Sequence, residues 1–165
     1  MRKAALDAYL EEYKQLKETW RSIEAKAQGS IAVAGIFIAG ALAFLTKLET
    51  YLGRPDKVLL FAGLACLIAS VILAILVLRT HVTTVPPLGT VVGQYALGMV
   101  NVQAAADLEL HTAAFFNDVV SRWQNIISEV GKANEAKAKT LWWAQLFLIL
   151  AIIAVAVLAL LKLII

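Results

Sequence analysis

Side chains able to make or break bonds are sparse in these 165 residues. His81 and His111 stand 30 residues apart without the paired ligand spacing of a metal site. Cys66, the single cysteine, permits neither an intramolecular disulfide nor a thiolate cluster. The sequence holds no phosphate-cradling Gly-rich loop, no GxSxG nucleophile turn and no HExxH pair. No catalytic residue, metal or cofactor is expected, and the chain reads as a non-enzymatic protein.

What remains is the chemistry of charge and of size. Glu24, Lys26, Asn134, Glu135 and Lys137 gather just ahead of two long apolar runs. Such a group can be plain anchoring, with lysines snorkelling beside solvated acids, or a polar switch layer able to receive a ligand or partner. The tetrapeptide Glu-Ala-Lys-Ala occurs in both places, at 24–27 and 135–138, which so common a composition produces by coincidence. Small residues recur at four-residue steps, as Gly35, Ala39 and Ala43 in the first apolar run and Ala62, Cys66, Ser70 and Ala74 in the second. In lipid such stripes let helix backbones approach closely. They are expected to pack the first two helices together within the chain, with contact between subunits as the alternative.

These residues need elements to position them, and the composition says which. Hydrophobic residues make up 61% of the chain and charged ones 16%, against roughly 45–50% and about 25% in an ordinary soluble domain. The mean hydropathy is +0.76, which excludes a disordered chain and disfavours a soluble enzyme. The net charge of +3 gives no reason to expect a nucleic-acid partner. Residues 27–46, 58–78 and 140–161 carry no charge. Each is long enough to form a helix of about 30 Å, the thickness of a bilayer's hydrocarbon core. The expected fold is an all-α membrane protein with three transmembrane helices.

Basic residues set the orientation. Eleven Lys and Arg lie before the first span or between the second and third, against Lys47, Arg54, Lys57 and Lys162 on the other side. The N-terminus and the long middle segment should be cytoplasmic. Trp142 and Trp143 fit an interfacial aromatic belt at the start of the third span. Gly53-Arg54-Pro55-Asp56 should make a tight outer turn, with Asp56 as the N-cap of the second helix. Residues 82–106 are also uncharged but contain Pro86-Pro87, three glycines and several amides. They read as a loop or interfacial segment, with a re-entrant dip as the alternative.

Ahead of the first span, Leu6, Tyr9, Tyr13, Leu16, Trp20, Ile23 and Ala27 alternate steps of three and four, a heptad seam on a segment free of Gly and Pro. Ahead of the third span, Phe116, Val119, Trp123, Ile126, Val130 and Ala133 do the same. The first and third helices should thus extend into a cytoplasmic stalk of two parallel helices. The organisation expected is a cytoplasmic amphipathic helix at 1–28, a transmembrane hairpin at 29–79 with spans at about 29–46 and 58–78, and a cytoplasmic loop or interfacial segment at 80–110. A cytoplasmic long helix at 111–139 and the third span within 140–165 complete it.

The run Ile23-Glu24-Ala25-Lys26-Ala27 leading into Gln28-Gly29-Ser30-Ile31-Ala32-Val33-Ala34-Gly35 resembles the acid-x-Lys-Ala approach to the first span of small bacterial Pycsar transmembrane effectors and the related SLATT group. The order that follows is similar too: a short outer turn, a second span, a Pro-containing inner segment, a long helix, a Lys-bearing approach at 134–139 and a last span. The resemblance implies antiphage immunity, in which a cyclic nucleotide made by a partner cyclase triggers membrane damage. The expected partners are the lipid bilayer, further copies of the chain and a cyclic nucleotide. The rival class is a non-enzymatic membrane adaptor that recruits a cytosolic protein through the stalk.

Overall fold

The computed structural model describes residues 2–48, 53–79 and 105–164. They form three helices: α1 (Arg2–Leu48), α2 (Arg54–Arg79) and α3 (Ala105–Ile164). No strand occurs among the described residues, and each helix includes a stretch long and apolar enough to cross a membrane. The fold is all-α. The expected loop at residues 80–110 lies mostly outside the described residues, and its last six belong to α3. Helix α3 therefore starts at Ala105, ahead of the expected His111.

By contacts the chain divides into two compact units, Met1–Thr19 with Val82–Asn134 and Trp20–His81 with Glu135–Ile165. The second, the span unit, is built of three buried layers. Ile23 and Ala27 of α1 meet Ala74 and Val77 of α2 and Leu141 and Ala144 of α3. Ala34, Leu67, Leu148 and Ala151 form the middle layer, and Ala41, Leu60 and Leu158 the third. Numbers rise together in α1 and α3 and fall in α2, so α1 and α3 run parallel with α2 antiparallel to both. The layers place alanines beside branched side chains, which brings the backbones close and fills the remaining space with Ile, Leu and Val.

Around these layers the apolar residues face outward. Ile36 is 72% exposed, Val58 69% and Phe61 61%, with Ile68, Ile72, Ile149, Ile153 and Leu160 also exposed. A contiguous apolar exterior of this kind is favourable only where lipid replaces water.

The α2 N-terminus corrects one expectation. Asp56 is not the N-cap, because the helix begins earlier: Lys57 N–H donates to the Gly53 carbonyl at 3.2 Å, making Gly53 the cap. Asp56 then occupies the third helical position and accepts from the Gly53 N–H at 3.1 Å. This is the reach-back half of a capping box, and Pro55 costs nothing in a first turn whose N–H groups have no helical acceptor.

The first unit, the stalk unit, centres on Val119 and Trp123, with Tyr9, Tyr13, Phe115 and Ile127 packed against them. Tyr13 and Trp123 meet edge to face, centroids 5.6 Å apart and planes at 73°. Gln124 Nε2 donates to Tyr9 Oη at 3.0 Å. Of the expected seam, Trp123 and Val130 are buried, whereas Leu16 and Phe116 are half-buried and Phe115 joins the cluster. Ile23 packs in the span unit.

Candidate functional site

Among the described residues of the span unit, one charged side chain lies in a place where charge is expensive. Lys137 follows Val130 by seven residues and precedes Leu141 by four, so it falls on the inward stripe of α3. Its side chain is 1% exposed. Removing an ammonium from water costs several kcal/mol unless a partner meets it, and α1 supplies two. Lys137 Nζ donates to Glu24 Oε1 at 2.8 Å and lies 3.4 Å from the centroid of the Trp20 ring. Trp20 Nε1 donates to the same Glu24 oxygen at 2.6 Å.

Local helical geometry makes this possible. Trp20 and Glu24 are four residues apart, so they sit one above the other on a single face of α1. The indole N–H fixes the carboxylate, and the ring face meets the cation where its electron density is greatest. The result is a closed three-membered contact in which one oxygen accepts two charge-assisted or polar hydrogen bonds.

The other members of the expected polar layer behave differently. Lys26 and Glu135 are exposed, and the Lys26 carbonyl accepts from Ser30 Oγ at 3.0 Å. Asn134 belongs to the stalk unit, where it is 5% exposed and donates from Nδ2 to the Leu16 carbonyl at 2.8 Å. Its Oδ1 is buried without a hydrogen-bond partner. Trp20, expected in the stalk seam, is instead half-buried in the span unit against Lys137.

The small-residue stripes divide. In α2, Ala74 and Ser70 are fully buried, and Ser70 Oγ donates to the Ala144 carbonyl of α3 at 2.7 Å. Cys66 is half-buried against the middle layer, and Ala62 is exposed. In α1, Gly35, Ala39 and Ala43 are all exposed, and a Cβ built on Gly35 would meet nothing within 4 Å. Packing within the chain uses Ala27, Ala34 and Ala41 instead, so the expectation that Gly35 and Ala39 join α1 to α2 is not met. Several faces of α1 carry small residues, and the choice among them falls to the face whose larger members, Ile23 and Ile31, can interdigitate with α2 and α3.

Sequence reasoning missed Gly63, which is buried where α2 approaches α3. A Cβ there would lie 3.5 Å from Ala154 Cβ. The signal was available, because Leu60, Gly63, Leu67, Ser70, Ala74 and Val77 follow strict steps of three and four. An apolar cleft of about 120 Å³ lined by Gly40, Ala41, Leu60, Val155, Leu158 and Ala159 carries no polar side chain for chemistry. His81 lies outside the described residues, His111 is exposed, and no three metal-ligating side chains converge among the described residues.

Compared with known proteins, residues 8–164 match the family model described as the Pycsar effector protein domain. No curated protein and no solved structure matches the chain.

Proposed function

Because the chain belongs to the Pycsar effector family, effectors of cyclic-nucleotide-signalled antiphage defence, we propose that it damages the bacterial inner membrane when a cyclic nucleotide from a partner cyclase signals infection. Its N-terminus is cytoplasmic in this reading, and its working form is a homo-oligomer. The observation that carries the proposal is the family match across 8–164, which takes in all three apolar helices.

The shape of α1 supports the oligomer. Gly35 has no neighbour within 4 Å of a built Cβ, and Ala39, one turn further along the same face, is exposed. A face this flat offers a second copy close backbone approach, the contact that stabilises helix pairs in lipid. Activation then requires a quiet and a disruptive arrangement, with the trigger binding the second more tightly.

The test is to express the full chain with and without a matched cyclase and its inducing signal while following membrane potential and growth. Depolarisation and growth arrest confined to the induced, cyclase-containing cells are expected. Potential and growth left untouched under those conditions would replace the effector with a non-lytic adaptor that uses the stalk to recruit a cytosolic protein.

A further inference from the structure

We propose that Trp20, Glu24 and Lys137 form an asymmetric latch that holds α1 against α3 in the resting state, tripped by loss of the Glu24 charge and neutralised by loss of Lys137. The proposal rests on the effector reading and names the contact that must change in it. Two facts make the latch asymmetric. The Lys137 side chain is 1% exposed and Glu24 is 31% exposed, so Glu24 still has access to water when Lys137 is lost, whereas Lys137 without Glu24 reaches water only if the helices around it part.

The contact is also built to break as a unit. Glu24 Oε1 receives both Trp20 Nε1 at 2.6 Å and Lys137 Nζ at 2.8 Å, and Nζ sits 3.4 Å from the Trp20 ring centroid. Both groups that satisfy the ammonium come from one face of α1. A rotation of α1 about its own axis carries carboxylate and ring away from Nζ together, because they share that face. The ammonium is then parted from both partners and must be met by water instead. Lys26, Glu135 and Lys139 are exposed and already solvated. Directly beside the latch lies the layer of Ile23, Ala27, Ala74, Val77, Leu141 and Ala144, so admitting water to Lys137 disturbs helix contacts in the span unit.

Glu24→Gln keeps the shape and the acceptor oxygen but removes the charge, and Lys137→Met removes the cation while filling the same volume. The full chain, purified in detergent, should lose more thermal stability on Glu24→Gln than on Lys137→Met. The double variant Glu24→Gln with Lys137→Met should recover most of the loss, because no unpaired ammonium is then buried and the amide at the 31% exposed position can still meet water. In cells lacking the cyclase, Glu24→Gln should depolarise the membrane, and the double variant should be silent and respond less to the cyclase than wild type. Equal or reversed thermal ordering, or a double variant as unstable as Glu24→Gln alone, overturns the latch. The thermal ordering is read on purified protein without any trigger, so it tests the latch even if the wild-type chain never depolarises a cell.

Discussion

Two copies of Glu-Ala-Lys-Ala meet opposite fates in this molecule. Glu24 of the first and Lys137 of the second pair at 2.8 Å, while Lys26 and Glu135 stay exposed. The identity of a residue in a common tetrapeptide says little about its energy, and its position on the helix stripe says much more. The same rule separates the glycines. Gly63→Ala should be nearly neutral, since the added Cβ meets Ala154 Cβ at an ordinary 3.5 Å. Gly63→Leu should cost about 1–3 kcal/mol by overpacking, and Gly35→Leu should leave the stability of the isolated chain unchanged. Thermal unfolding in detergent checks all three. A Gly35→Leu chain with wild-type stability but altered toxicity would place the defect between subunits. Ser70→Ala should be mild, at about 0.6 kcal/mol, the usual worth of an interhelical hydrogen bond in lipid.

At the scale of elements, α3 has a seam with an irregularity. Its buried positions run Val119, Trp123, Ile126, Val130, Asn134, Lys137, Leu141, Ala144, Leu148 and Ala151. The steps alternate between four and three except from Ile126 to Val130 to Asn134, where two fours follow each other. A doubled four-step relaxes the left-handed winding locally, and the residue at its end is the buried Asn134. A polar side chain on a seam fixes register at a cost in stability. Asn134→Leu should therefore hold or raise the melting temperature by removing a buried unpaired acceptor, even though it loses the bond to the Leu16 carbonyl. Asn134→Asp should lower it strongly by burying a charge. Trp123→Asp should open the stalk cluster around Tyr13 and Val119, read as faster proteolysis of residues 105–134. Unchanged protease resistance would mean that the cluster contributes little to holding the stalk unit together.

For the whole molecule, the prediction concerns direction. Eleven basic residues against four on the two sides of the spans resist translocation of the richer side. Reporter fusions at Lys14 and Asp107 should be cytoplasmic and one at Arg54 external. An external Asp107 would require a further crossing before α3 and would reverse the arrangement proposed for the last helix.

The all-α class and the three long apolar helices among the described residues were legible in the chain because they depend on local quantities: uncharged runs of about 20 residues, the absence of Gly and Pro before Gly29, and heptad spacing ahead of two spans. Glu24 and Lys137 could be singled out for the same reason, as charges beside apolar runs. Their pairing could not, because it depends on which turn of α1 faces which turn of α3, a distance in space across 113 residues of sequence. The small-residue stripes show the same limit. Gly35 and Ala39 have the right spacing for close contact, but only the tertiary fit of Ile23, Ile31 and Leu141 decides that α1 turns Ala27 and Ala34 inward. Composition and period determine that helices form and where they are apolar; rotation about each helix axis is set by shape complementarity among all three.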